Sequence, residues 1–216
     1  MDLVIFDLDG TLIDSSLDLA NSVNATRAHL GLPPLEHDTV YSYVGNGAPV
    51  LIRRALGPGY SEDDVQSALL YFLGYYRDHM LEHTHLYPGV REFLDRFREA
   101  GVPMAVLTNK PVRFSQAIVD GLGLSRHFFR VYGGNSFEQK KPHPVGIETL
   151  LAECNASRES TLMVGDSSVD VETARNAQIA VCGVTWGFQP ETFAACPPDF
   201  LIHHPDELAV HVIGHA

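Results

Sequence analysis

Val4-Ile5-Phe6-Asp7-Leu8-Asp9-Gly10-Thr11-Leu12 is the stretch whose reading decides the fold. A short apolar run ends in two carboxylates spaced two apart, and a glycine and a threonine follow. Side chains alternate along a strand, so Asp7 and Asp9 would share a face if the strand simply continued. Gly10 bends the chain there, turning the strand's end into a loop around a site. Sites in open parallel sheets lie at the carboxyl ends of strands, which is where this pair falls. Two acids and a hydroxyl suit a nucleophilic carboxylate, a proton-transfer carboxylate and a hard cation held by oxygens. The same residues also make an ordinary strand-ending turn, so the rest of the chain has to separate the two readings.

Working outward, 216 residues hold one full core, or one core with a small second domain. Hydrophobic residues make up 45% and charged residues 19%, the balance of a folded globular chain. The formal net charge of −12 argues against a nucleic-acid binder and against an anionic membrane surface. Cys154, Cys182 and Cys196 show no metal-ligand spacing, and reduced thiols in the cytoplasm are the expectation. Acids interrupt any leader-like run at the start, and no apolar run approaches the ~18 residues of a membrane span. Lysine occurs only at Lys110, Lys140 and Lys141.

From residue 14 to about 84 the pattern predicts helices alone. Asp14-Ser15-Ser16 offers an N-cap, a second helical stretch runs from Glu36 to about Val44, and Gly45-Asn46-Gly47 interrupts. Ser61-Glu62-Asp63-Asp64 opens the longest helix of this region. The remainder alternates: strands at 102–107, 129–132, 161–164, 179–184 and 200–203, with helices at 89–100, 114–122, 145–154 and 169–177. Near-continuous apolar strands alternating with helices imply an α/β, Rossmann-like core with a mostly parallel sheet flanked by helices. The expected organisation is a core of residues 1–13 and 85–216, with a small all-helical cap domain of residues 14–84 inserted after the first strand.

Asp7-Leu8-Asp9-Gly10-Thr11 directly after an N-terminal apolar strand resembles the first motif of the haloacid dehalogenase-like hydrolases. The other motifs of that family follow in order. Thr108-Asn109, closing an apolar strand, resembles the second, a hydroxyl that holds the transferring phosphoryl group. Lys141 in Lys141-Pro142-His143-Pro144 resembles the third, a cation balancing phosphate and nucleophile, with Lys140 as its rival. Val164-Gly165-Asp166-Ser167-Ser168-Val169-Asp170 resembles the fourth.

The resemblance implies a Mg²⁺ ion held by Asp7, the backbone carbonyl of Asp9 and Asp166, with Asp170 a ligand through water or a brace for Lys141. It implies that Asp7 attacks phosphorus and that Asp9 moves the protons. The acid at Asp9 sets aside true dehalogenases. Gly45-Asn46-Gly47-Ala48 with Leu51-Ile52-Arg53-Arg54-Ala55-Leu56, and Thr185-Trp186-Gly187 later, resemble bacterial phosphoglycolate phosphatases. The expected substrate is therefore a small phosphate ester, 2-phosphoglycolate first, met by Thr108, Asn109, Lys141, Gly47 and, through its carboxylate, Arg54. Other small-molecule phosphatases, phosphomutases of the same family and a catalytically silent binding module are the alternatives. A monomer or homodimer is expected. His79, His83 and His85, and His203, His204, His211 and His215, read as solvated residues, and Tyr71, Phe72, Tyr75 and Tyr76 as helix packing.

Overall fold

In the computed structural model, which describes residues 1–213, the chain enters as β1 (Leu3–Phe6) and then makes a two-residue strand, β2 (Ile13–Asp14). Four helices follow: α1 (Ser16–His29), α2 (His37–Tyr41), α3 (Ala48–Leu56) and α4 (Glu62–His79). A second two-residue strand, β3 (His85–Leu86), closes this insertion by pairing antiparallel with β2. The chain continues through α5 (Val90–Glu99), β4 (Met104–Leu107), α6 (Val112–Gly121), β5 (Arg130–Tyr132), α7 (Val145–Cys154) and β6 (Thr161–Gly165). It ends with α8 (Ser168–Asn176), β7 (Ala180–Val184), a short 3₁₀ turn at Pro190–Ala194, β8 (Phe200–Ile202) and α9 (Pro205–Ile213). The elements follow the sequence reading closely, except for the β2–β3 ribbon and the 3₁₀ turn, too short to carry a period, and α9, whose Leu208, Ala209 and Val212 have helical spacing that the reading did not include. His215 lies outside the described residues.

Six strands form one parallel sheet in the order β5-β4-β1-β6-β7-β8. The chain builds to one side of β1, then crosses back over it to start β6, so β1 sits at the point where the winding reverses. Burial on both faces explains the unbroken apolar strands. Val4 and Phe6 join the apolar cluster that includes Phe93 and Phe97 of α5, while Leu3 and Ile5 join the opposite cluster with Ile147, Leu150 and Val171 of α7 and α8. The first cluster also runs into the helical insertion through Ile52, Phe72 and Tyr76. Among the described residues no helix is long and apolar enough to cross a membrane.

Local chemistry sets the helix ends. Ser61 and Asp64 form a reciprocal cap at the start of α4, with Asp64 N donating to Ser61 Oγ and Ser61 N to Asp64 Oδ2. At the other end of the insertion, buried Asp18 of α1 accepts hydrogen bonds from His83 N, Thr84 N and Thr84 Oγ1 at 2.8–3.1 Å. The outgoing chain is thereby tied to the incoming one beside the ribbon. His79 contacts Glu82, His85 contacts the His83 carbonyl, and both remain near solvent, as the sequence implied. Asp18→Ala leaves two backbone N–H groups without their acceptor and should cost about 2–4 kcal/mol. Urea unfolding followed by circular dichroism measures it, and a loss under about 1 kcal/mol would mean that water replaces the carboxylate freely.

Candidate active site

Because β1 pairs with both β4 and β6, the carboxyl ends of three strands lie side by side. Asp7, Thr108 and Asp166 follow those ends directly, and the turns after them fold towards one another. Asp7 N donates to Val164 O at 2.9 Å, and Thr108 N to Tyr132 O at 3.0 Å. Lys141, before α7, sends its ammonium back to the same point: Nζ is 2.7 Å from Asp170 Oδ1 and 3.0 Å from Asp7 Oδ1. Its peptide bond to Pro142 is cis. Asp170 Oδ2 accepts from Ser167 N and Oγ, closing the first turn of α8. Asp166 Oδ2 accepts from Phe188 N at 2.7 Å.

Carboxylate oxygens of Asp7, Asp166 and Asp170 lie within 4.8 Å of one another, all buried. Burial pushes the Asp7 carboxyl up to about 6, with Lys141 pulling against it and Asp170 adding to it. Burial, then Asp170 and Asp7, holds the Asp166 carboxyl well above its usual range. Burial also works against the Lys141 charge, but Asp170 and Asp7 outweigh it and the ammonium is held above its normal range. Three buried acids therefore share one ammonium, leaving an excess of negative charge among them. A donor set of hard, anionic oxygens with that excess fits a divalent cation. Two glycines keep the space clear. A Cβ on Gly10, whose φ is +81°, would fall 2.2 Å from Asp166 Oδ2, and one on Gly187 would fall 2.2 Å from Asp166 Cβ.

Asp9, two residues along, has different company. Lys110 Nζ donates to both its oxygens at 2.8 and 3.0 Å, and Ser15 Oγ donates to Oδ1. The same ammonium donates to Tyr76 Oη of α4 at 2.6 Å. Burial opposes the Lys110 charge, yet Asp9 and Tyr76 hold it above the ordinary lysine range; burial raises the Tyr76 hydroxyl to about 12.

A cavity of about 50 Å³ opens between these groups and the helical insertion. Asp7, Asp9, Thr108, Asn109, Gly47 and Asp166 line it, facing an apolar wall that includes Leu19, Phe72, Phe114 and Phe188. The loop after α2 is held down over it from the sheet side. Asn109 Nδ2 donates to Gly45 O, Lys140 Nζ to Asn46 O, and Gln189 Nε2 to Ser42 O and Val44 O, at 2.6–3.0 Å.

Lys141 and Asp170 sit immediately behind Asp7, and Lys140 turns outward to the loop. Arg54 does not join the site, contrary to expectation. Leu51, Ile52, Ala55 and Leu56 form the buried face of α3, which leaves Arg54 exposed with its guanidinium on the Tyr43 carbonyl. Lys110, given no role in the sequence reading, and Tyr76, read there as helix packing, are instead at the centre. The scarcity of lysine was the available signal for the first; nothing in the spacing separated Tyr76 from its packing neighbours.

A six-stranded parallel α/β core with this acidic cluster at its strand ends is the architecture of a hydrolase, and residues 4–184 match the family model described as haloacid dehalogenase-like hydrolase. The chain belongs to that family. It is 39% identical over 213 residues to a phosphoglycolate phosphatase of Vibrio parahaemolyticus, covering 95% of this chain and 93% of that one. It is 42% identical over 192 residues to a phosphoglycolate phosphatase of Pseudomonas putida, covering 86% and 70%. The crystal structure of a predicted phosphoglycolate phosphatase from Haemophilus somnus superposes with a TM-score of 0.91 at 33% identity, covering 98% of each chain. Within the family the protein is a phosphoric monoester hydrolase.

The raised acids carry a consequence for stability. A carboxyl lifted from 3.8 to about 6 on folding contributes fully below pH ~4, and that contribution is lost as pH rises through ~6. For Asp7 alone the loss approaches about 2–3 kcal/mol. A divalent cation that binds the ionised acids returns it. Thermal melts in EDTA and in excess Mg²⁺ should therefore differ more at pH 7.5 than at pH 5. Asp7→Asn should raise the EDTA melting temperature at pH 7.5 and shrink the Mg²⁺ response. A response equal at both pH values, or unchanged by the substitution, would place the cation elsewhere.

Proposed function

We propose that this hydrolase removes phosphate from a small phosphate ester, 2-phosphoglycolate in the first place, through a covalent phosphate on Asp7. The observation that carries the reading is the contrast between two carboxylates two residues apart. Asp7 lines the cavity at the end of β1 with Lys141 Nζ 3.0 Å from its Oδ1, a carboxylate placed beside a cation as a nucleophile facing an anionic phosphoryl group requires. Asp9 lies at the same cavity, two residues on, fixed in direction by Lys110 on both oxygens, in position for a group that exchanges a proton with the ester oxygen and then with water.

In the first half-reaction an Asp7 oxygen forms a bond to phosphorus, the phosphorus–ester oxygen bond breaks, and Asp9 gives its proton to the departing alkoxide. In the second, Asp9 takes a proton from water, the resulting hydroxide oxygen bonds to phosphorus, and the Asp7–phosphorus bond breaks. Thr108, which lines the cavity, and Lys141, 3.0 Å from Asp7 Oδ1, donate to the phosphoryl oxygens. Asp7, Asp166 and the Asp9 carbonyl would hold Mg²⁺, which would supply charge neutralisation at the phosphoryl group; Asp170 acts as a brace for Lys141 and the first turn of α8. Residues 14–84 act as a cap domain hinged at the β2–β3 ribbon, excluding bulk water when its loop is seated on Asn109, Lys140 and Gln189. The names of the relatives support the choice of substrate.

Purified protein with Mg²⁺, assayed against a panel of phosphate esters by phosphate release, tests the reading, with 2-phosphoglycolate expected to show the highest kcat/KM. Asp7→Asn should abolish turnover in a sample that melts cooperatively. Asp9→Asn should slow phosphoglycolate cleavage by about 10²–10⁴-fold while slowing formation of the covalent phosphate from p-nitrophenyl phosphate far less, because p-nitrophenolate departs without a proton. Equal losses for the two esters in rapid-quench measurements would restrict Asp9 to a structural role.

A further inference from the structure

With Arg54 turned away, the carboxylate of a substrate such as phosphoglycolate lacks the cation that the sequence reading assigned to it. The other basic side chains of the insertion are also committed elsewhere. Arg27 is buried on the carbonyls of Pro33 and Ala55, Arg53 pairs with Glu62, and Arg77 pairs with Asp78. Lys141 is occupied between Asp7 and Asp170, and Lys140 reaches the Asn46 carbonyl. Among the residues that line the cavity, Lys110 is the basic one; its three N–H donors go to the two Asp9 oxygens and Tyr76 Oη, so what it offers a substrate is its charge rather than a further hydrogen bond.

Lys110 is also in the right place. A proton donor to the ester oxygen sits one hydrogen bond from it, and in phosphoglycolate the carboxylate is a single methylene beyond that oxygen. A cation one hydrogen bond from Asp9, as Lys110 is at 2.8 Å, is therefore within reach of the carboxylate. Without that charge, the carboxylate would enter a cavity edged by Asp7, Asp9 and Asp166, three acids that repel it.

Tyr76 completes the arrangement. Its hydroxyl oxygen accepts from Lys110, so its own proton remains for another acceptor, and it has none among the described residues. The side chain is buried and lines the cavity, where a hydroxyl with a spare proton suits an anionic oxygen. Phe72 stacks beside it with ring centroids 5.6 Å apart, and Phe114 meets its edge at 5.5 Å, so the ring is fixed in direction.

We propose that Lys110 and Tyr76 together are the receptor for the substrate's carboxylate: Tyr76 donates its hydroxyl proton to it and Lys110 supplies the countercharge. This rests on the phosphoglycolate reading above. It divides specificity between the two halves of the molecule, since Lys110 follows β4 of the sheet and Tyr76 belongs to α4 of the insertion. A carboxylate-bearing ester would bridge them, whereas a neutral one would leave the acids around the cavity without that extra contact.

The test compares 2-phosphoglycolate with 2-hydroxyethyl phosphate, which replaces the carboxylate by a hydroxymethyl group and leaves as an alkoxide of similar basicity. The readout is the ratio of kcat/KM values for the two esters. Lys110→Gln keeps a donor for Asp9 without the charge, and Tyr76→Phe removes only the hydroxyl. Both substrates lose activity in Lys110→Gln because Asp9 loses an ion pair, but the ratio should fall by about tenfold to a hundredfold, the scale of a lost close charge pair. Tyr76→Phe should lower it by about three- to tenfold, and Lys110→Arg should restore most of it. A ratio unchanged in both Lys110→Gln and Tyr76→Phe, with both esters slowed alike, would overturn the assignment and leave the pair as supports for Asp9. A wild-type ratio near one would instead overturn the phosphoglycolate reading itself, so the two failures are distinct.

Discussion

Three buried carboxylates around one buried ammonium are the constraint from which the rest of the molecule follows. Asp7, Asp166 and Asp170 cannot all be ionised beside Lys141 without either a proton or a further cation, because their mutual repulsion is undiluted by water. Such a cluster is unstable on a loose scaffold. Here each member is anchored close to a rigid element: Asp7 and Asp166 directly at strand ends, Asp170 in the first turn of α8, Lys141 four residues ahead of α7. Glycine at Gly10 and Gly187 lets backbone approach Asp166 where any side chain would collide with it.

Placing the second acid so close in sequence yet so differently in space is the device that gives one strand end two chemistries. Asp7 continues the line of β1 towards the cluster, whereas Asp9 lies in the turn closed by Gly10, whose N–H donates to Ile13 O. There Asp9 meets Lys110 from the neighbouring strand end and Ser15 from the start of the insertion. Its environment is thus made jointly by the sheet and the helices, and it is sensitive to both. Seating of the loop at residues 42–46 on Asn109, Lys140 and Gln189 is sensitive in the same way, because its contacts are hydrogen bonds from core side chains to insertion carbonyls.

Much of this was legible beforehand, for a physical reason. A parallel sheet buried on both faces demands continuous apolar strands, which marked where the strands end, and the resemblance to family motifs then singled out Asp7, Thr108 and Asp166 from residues that could equally have closed ordinary turns. Lys141 was marked by its prolines. Helices were readable from the spacing of their apolar residues, and at α4 Ser61 with Asp64 forms the cap that its spacing implied. The β2–β3 ribbon escaped because two residues carry no period.

The sequence by itself thus determined the α/β class, because apolar strands and alternating helices are written in local patterns of burial, and its resemblance to a known family marked the order of the motifs and their acids. Only the tertiary structure decided which cations serve them. Arg54 and Lys110 are alike as isolated letters, each next to a suggestive motif. Arg54 lies on the solvent side of α3 because four apolar neighbours claim the other side, while Lys110 is drawn inward by Asp9 and by Tyr76, residues 101 and 34 positions away in the chain. Long flexible basic side chains take their direction from partners distant in sequence, and that information exists only once the chain has folded.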